Sequence, residues 1–273
     1  MTQTTLLLRP FSIIPTEELL AMSSYLKHIT AIVTGASSGI GHATATHLAK
    51  AGAAVILGAR SEDKIRDLSE ELLKLGAREA VAIPLDVTSP RSIEAFVNQV
   101  EVRFPAVNVL INNAGLARSL DPLWEGSTTE WEEMIQTNIS GLLRMTRAFL
   151  PSMVERNEGH IICLGSTSGH ATYPGGAVYC ATKHAVSAIS DALRKDLNGT
   201  RVRVSSVDPG AVQTNFSTVR FNGDEDRARK VYENMEPLTA DDVAEMILFC
   251  ITRPARVNIN YIIATATDQA SPL

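Results

Sequence analysis

The sequence predicts an α/β fold: a single Rossmann-type, doubly wound parallel sheet of seven strands with helices on both faces. Three observations carry this reading. From Ile29 onward, short β-branched runs alternate with longer amphipathic stretches, the pattern of a parallel sheet covered on both sides. A glycine-rich turn, Thr34 to Gly41, joins the first such run to the first such stretch. No Pro/Gly/Ser-rich linker or shift of composition divides the 273 residues, so they read as one large domain.

The strands are placed, in order, at Thr30 to Thr34, Ala54 to Ala59, Ala80 to Leu85, Val109 to Asn112, His160 to Leu164, Arg201 to Val207 and Asn260 to Ile263. Between them, apolar residues recur at helical spacing in Ile40 to Ala51, Glu62 to Leu75, Ser92 to Phe104, Thr129 to Glu155, Ala177 to Leu197 and Ala240 to Ile251. The fourth of these helices is long enough to hold a break. Residues 209–238 form the longest stretch without a strand, rich in charge and next to a strand end. A lid over a pocket is expected there, in preference to a solvated surface excursion.

A net charge of −5 and the absence of Lys/Arg clusters leave no basic footprint for nucleic acid or anionic lipid. A small-molecule substrate is the expected partner, with no nucleic acid and no membrane. Aromatic residues make up only 5% of the chain, which disfavours stacking platforms. Cys163, Cys180 and Cys250 are far apart and lack CxxC spacing, so neither a disulfide framework nor a metal site is expected. They fit a reducing, cytoplasmic setting. Residues 1–28 read as a loose N-terminal extension ahead of the domain at 29–273. Pro10 and Pro15 interrupt the apolar residues there, Glu17 and Glu18 follow, and the pattern matches no membrane span, signal peptide or transit peptide.

The turn Gly35, Ala36, Ser37, Ser38, Gly39, Ile40, Gly41 has a strand before it and a helix after it. Glycine permits a tight turn and close backbone approach, and the exposed amides of a helix start suit a diphosphate. The second strand ends at Arg60, followed by Ser61, where a carboxylate would be expected for a free ribose 2′-hydroxyl. A guanidinium there, helped by the hydroxyls of Ser37 and Ser38, favours a 2′-phosphate and hence NADP over NAD. The alternative pairs Arg60 with Glu62 or Asp63. Asp86 and Val87 follow the third strand, where the carboxylate can accept from an adenine amino group or cap the next helix. Asn112, Asn113, Ala114 and Gly115 close the fourth strand with residues small enough to let backbone approach a ligand.

Tyr179 and Lys183 stand at i and i+4, on one face of a helix, and Ser166 lies upstream. A phenol beside an ammonium is an acid/base device for oxidising alcohols or reducing carbonyls. Bringing a phenol from about pH 10 towards neutrality takes roughly 4 kcal/mol of preference for phenolate, and a close cation is the expected source.

Taken together, TGxxxGIG at Thr34 to Gly41, NNAG at Asn112 to Gly115, Ser166, YxxxK at Tyr179 to Lys183 and Pro209-Gly210 resemble a short-chain dehydrogenase/reductase over about Ile29 to Ile263. That resemblance implies strand order 3-2-1-4-5-6-7 and a homodimer or homotetramer. It implies Tyr179 as acid/base, Ser166 as donor to the substrate oxygen, Lys183 as ribose binder and activator of the tyrosine, and Asn138 as holder of a relay water. Pro209, Gly210, Val212 and Thr214 would flank the nicotinamide. Met145 to Ala148, Leu150 to Asn157 and Phe216 to Gly223 further resemble the NADP-dependent branch acting on serine, allo-threonine and small 3-hydroxy acids. Cys180 departs from the small residue commoner after the tyrosine.

Arg220, in the expected lid, can pair with a substrate carboxylate or with Asp224 or Glu225 at the surface. His170 reads as a loop residue and not as a second base. The leading expectation is an NADP-dependent dehydrogenase of small 3-hydroxy acids or hydroxy amino acids. A reductase of another small aldehyde or ketone, sulfonated aldehydes included, is the alternative, and an NADP-binding regulator without turnover is a third.

Overall fold

The structure, a computed structural model, describes residues 26–270. Its strands are β1 (Thr30–Thr34), β2 (Ala54–Ala59), β3 (Glu79–Pro84), β4 (Val109–Asn112), β5 (Gly159–Leu164), β6 (Val202–Pro209) and β7 (Tyr261–Ala264). They pair in parallel throughout, in the order β3-β2-β1-β4-β5-β6-β7. The expected sheet is therefore present in the expected order. Every residue of β1 and β2 is buried, because a parallel sheet with helices on both faces exposes neither side.

Side chains alternate between the two faces. Val33, Val55 and Leu57 join one apolar cluster with Leu48, Leu72 and Ile247, whereas Ile32 and Ile56 join the other with Phe96, Met145 and Phe149. The covering helices are α1 (Gly39–Lys50), α2 (Glu62–Lys74), α3 (Pro90–Arg103), α4 (Thr128–Ile135), α5 (Leu142–Arg156), α6 (Ala177–Asp196) and α9 (Ala240–Thr252), with the short α7 (Phe216–Arg220) and α8 (Glu225–Lys230) before the last. In α2 the buried residues Ile65, Leu68 and Leu72 fall at helical spacing. A capping box between Thr239 and Asp242 starts α9, which sets the entry of the chain into its last turn of the fold.

Two regions differ from the sequence reading beyond shifts of one or two residues. The long helix expected at Thr129 to Glu155 is α4 and α5 joined by a single π-helical turn, Gln136–Gly141. The segment 209–238 opens with the last residue of β6, carries α7 and α8, and is closed on itself by a bridge between Val212 and Leu238. The expected extension lies outside the described residues as far as residue 25. Leu26 is fully buried and its carbonyl accepts from Ile29 N at 2.9 Å, so packing begins before position 29. Among the described residues no helix is long and apolar enough to cross a membrane.

Candidate active site

A crevice of about 310 Å³ opens at the carboxyl ends of the strands, against both β1 and β4, where the strand order reverses. Its diphosphate end is built from the turn before α1. Gly35 and Gly39 have φ of +65° and +53°, a conformation that side chains other than glycine rarely adopt. A Cβ on Gly35 would stand 3.0 Å from the Ala114 Cα, so only glycine lets the two loops meet. Ser38 caps α1 in extended geometry, and its hydroxyl makes no capping bond, which leaves the first-turn amides free for an outside acceptor. Gly35, Ser37, Ser38, Gly39 and Ile40 line the crevice. Gly41 does not; it lies behind, where a Cβ would fall 2.5 Å from both Asn113 Nδ2 and Gly35 O.

Asn113 and Ala114 are held by β1. The buried Thr34 hydroxyl donates to Ile111 O at 3.2 Å and accepts from Asn113 N at 3.0 Å and Ala114 N at 2.9 Å. The Asn113 side-chain amide donates to Thr34 O at 2.7 Å and Gly35 O at 3.2 Å. Asn113 thus lines the crevice as a staple between two strand ends, with its amide already engaged. Gly115 completes the wall, and a Cβ there would close to 3.3 Å from Asn138 Oδ1 and 3.8 Å from Lys183 Nζ.

Arg60 and Ser61 line the far end, and Arg60 is exposed. It forms no ion pair with Glu62 or Asp63; Asp63 pairs with Arg66 instead. Asp86 and Val87 are also on the wall. The Asp86 carboxylate accepts from Thr88 N at 2.9 Å and Thr88 Oγ1 at 2.7 Å, while Ser89 caps α3, so the capping alternative for Asp86 is not realised. The donor set fits a phosphorylated dinucleotide: free helix-start amides and serine hydroxyls at one station, a guanidinium without an ion pair among the described residues at the next, and glycines where any Cβ would obstruct.

At the other end Ser166, Tyr179 and Lys183 converge, with Pro209, Gly210, Val212 and Thr214 along the same wall. The i,i+4 spacing on α6 works as expected in placing both side chains inward, Tyr179 at 8% and Lys183 at 6% exposure. Lys183 Nζ donates to Leu164 O at 2.8 Å and sits 5.9 Å from the Tyr179 ring centroid. Burial lowers the Lys183 ammonium to about 8, against the pull of the Asp208 carboxylate that favours its charge. Burial pushes the Tyr179 phenol up, while the Arg220 guanidinium and a hydrogen bond with Ser166 pull it down.

A second cation, Arg220, stands beside the phenol in addition to Lys183. Arg220 does not line the crevice. It lies behind the tyrosine, 5% exposed, with its guanidinium carbon 4.9 Å from the Tyr179 centroid and 5.5 Å from that of Phe216. Its Nη2 donates to Tyr173 Oη at 3.0 Å, and no carboxylate pairs with it among the described residues. Asp224 caps α8 instead, accepting from Asp226 N and Arg227 N.

Asn138 also stands off the wall, buried on the π-helical turn. Its amide donates to Leu116 O at 2.8 Å and Thr182 Oγ1 at 3.1 Å, and its oxygen accepts from Leu116 N at 2.9 Å. His170 is hydrogen-bonded to the buried Asp208 carboxylate and packs edge-on against Tyr261. Cys180 is buried, and burial raises its thiol.

Residues missed in the sequence include Leu116 and Thr137 on the wall, and Arg118, which reaches Val219 of the wall. Arg118 bonds Glu133 of α4 through Nε and Nη2, each at 2.8 Å, and donates from Nη1 to Val219 O at 2.7 Å. Ser119 N adds a bond to Arg220 O at 3.0 Å, so both carbonyls flanking the Arg220 amide are held from one loop. Nothing in the spacing of these residues marked them.

A sheet with its crevice at the reversal point, fed by a tyrosine and a lysine from one helix, defines an oxidoreductase of the doubly wound α/β class. The chain belongs to the short-chain dehydrogenase family, whose sequence pattern matches residues 29–225. It is 43% identical over 231 residues to the NADP-dependent 3-hydroxy acid dehydrogenase of Schizosaccharomyces pombe, covering 84% of this chain and 89% of the relative. It is 45% identical over 230 residues to an NADP-dependent 3-hydroxy acid dehydrogenase of Salmonella typhi, covering 84% and 91%. Among solved structures, the closed form of serine dehydrogenase complexed with NADP+ superposes with a TM-score of 0.85 at 42% identity, covering 89% of this chain and 96% of that one. Serine dehydrogenase from Escherichia coli superposes with a TM-score of 0.77 at 37% identity, covering 89% and 100%.

Proposed function

We propose that the chain is an NADP-dependent oxidoreductase of small 3-hydroxy acids or hydroxy amino acids. The observation that carries this reading is the buried Arg220, without a carboxylate partner among the described residues, packed against Tyr179 beside a crevice that presents Ser166 and Lys183. A buried guanidinium without an acid is costly, and a substrate carboxylate is a fitting counter-charge. The names of the relatives point the same way.

The amides of the α1 start and the hydroxyls of Ser37 and Ser38 would hold the diphosphate, and Arg60 the 2′-phosphate that distinguishes NADP from NAD. A nicotinamide cofactor held by these residues would supply the hydride acceptor for alcohol oxidation and the hydride donor for the reverse reaction. Ser166 orients the substrate oxygen by hydrogen bonding. Tyr179 accepts the hydroxyl proton at its phenolic oxygen as the alcohol becomes a carbonyl, and returns it in the reverse direction. Lys183 binds the ribose, and Asn138 fixes the loop at Leu116 and holds a relay water. Residues 209–238 serve as a lid, with α7 as the part facing substrate. The domain starts at about Leu26, slightly ahead of the expected residue 29, and the chain works as a homodimer or homotetramer.

Reduction of other small aldehydes or ketones is the second reading, favoured only for anionic ones, because a sulfonate would satisfy Arg220 as a carboxylate does. The test is purified protein with NADP+ or NAD+ against 3-hydroxy acids, serine, sulfonated aldehydes with NADPH, and uncharged alcohols. Turnover should follow the anionic group and the phosphorylated cofactor; equal rates with bulky neutral ketones would overturn it. Tyr179→Phe should nearly abolish turnover while leaving NADPH binding measurable by fluorescence.

A further inference from the structure

We propose that Arg220 is a second electrostatic partner of Tyr179: its guanidinium, stacked on the candidate acid/base from α7, favours the phenolate and so takes part in proton transfer itself. This rests on the acid/base reading of Tyr179 but not on a substrate carboxylate.

The geometry behind it is local and unusually complete. The guanidinium carbon lies 4.9 Å from the Tyr179 centroid, nearer than the 5.9 Å of Lys183 Nζ. Lys183 directs a bond away from the ring, to Leu164 O, and shares its neighbourhood with the Asp208 carboxylate. Among the described residues Arg220 has no such counter-ion. Its one hydrogen bond from the guanidinium goes to the neutral Tyr173 hydroxyl at 3.0 Å, and its Nε is buried with no partner. A buried cation without a nearby carboxylate acts more strongly on a neighbouring ionisable group than one in water.

The groups facing Tyr179 can be taken element by element. On α6 these are Lys183 and Cys180; on α7, Arg220 and Phe216; in the loop between β5 and α6, Ser166 and Tyr173. Of these, Arg220 and Ser166 lower the phenol, against burial and Cys180. The carbonyls on either side of the Arg220 amide are held by Arg118 and Ser119, so the cation is delivered by a fixed backbone.

The experiment compares the parent holoenzyme with Arg220→Met and Arg220→Lys. The phenolate of residue 179 is titrated by ultraviolet difference spectroscopy against the matching Tyr179→Phe background, which needs no substrate. Arg220→Met should raise the titration midpoint by about one unit or more, and Arg220→Lys should recover part of that shift. The pH–rate profile for a neutral alcohol should move with it. An unchanged midpoint in Arg220→Met, or a lysine variant no closer to the parent than the methionine one, overturns the proposal. The KM for a 3-hydroxy acid separates the readings: a midpoint shift without a KM change removes the carboxylate contact and leaves the phenolate role standing, and the reverse result does the opposite.

Discussion

Replacing Arg118 with methionine should loosen α7 without touching the reacting groups. Arg118 makes a two-point bond to Glu133, at 2.8 Å for each contact, and a third bond to Val219 O at 2.7 Å. Charge-assisted bonds are worth roughly 1.5 to 3 kcal/mol each when buried, but side-chain exposures of 17% and 33% let water compete. A net loss of about 1 to 2 kcal/mol for the seated position of α7 follows, or about five- to thirty-fold in its opening equilibrium. NADPH release, followed by stopped-flow fluorescence, should accelerate by that factor, and KM for a hydroxy acid should rise. With Arg220 and Tyr179 intact, kcat at saturation should stay within about three-fold of the parent. Glu133→Gln should reproduce most of the effect, and the double variant should fall well short of the sum. Glu133 is held below its ordinary 4.5 by the Arg118 bond, so its contribution is fully present above that value and fades only as pH falls through the depressed one. Release rates that do not change, together with strictly additive variants, would refute the latch.

Other outcomes can be checked more briefly. Arg60→Asp should reverse cofactor preference by about ten- to a hundred-fold in kcat/KM for NADP+ over NAD+; unchanged selectivity would remove Arg60 from the 2′-phosphate site. Lys183 titrates near 8 in the fold against an ordinary 10.5, so its buried ammonium opposes folding below about pH 8, and that opposition is relieved as pH rises to about 10.5. Lys183→Met should therefore be more stable than the parent at pH 7, by at most about 3 kcal/mol in denaturant unfolding, and the gap should close by about pH 10.5 even though activity is lost. Gly41→Ala places a Cβ 2.5 Å from Asn113 Nδ2 and Gly35 O, and should cost about 1 to 3 kcal/mol of stability and weaken NADPH binding. A variant with parental melting and affinity would show that this turn can yield.

The sheet was legible because burial on both faces forces continuous apolar runs, as in Ala54 to Ala59, and these have few other interpretations. The glycine turn was legible for a related reason: φ values of +53° and +65° demand the residue that advertises itself. Spacing also placed Tyr179 and Lys183 on one face of α6. It could not say where the ammonium points, and Leu164 O, from the end of β5, claims it. The π-helical turn at Asn138 left no trace, since one extra residue in a turn alters hydrogen bonding without changing which residue types fit. The helices α7 and α8 lie in a charged stretch too short for periodicity to register. Their seats come from distant groups such as Arg118, Glu133 and Tyr173, and the position of Arg220 over the phenol is a property of that packing alone.

The Thr34 hydroxyl joins the ends of β1 and β4 through three bonds, to Ile111 O, Asn113 N and Ala114 N. A single oxygen atom thereby fixes the gap between two neighbouring strand exits before any nucleotide arrives. A floor fixed in this way adds little ordering entropy to complex formation. Nucleotide capture should then be fast and monophasic.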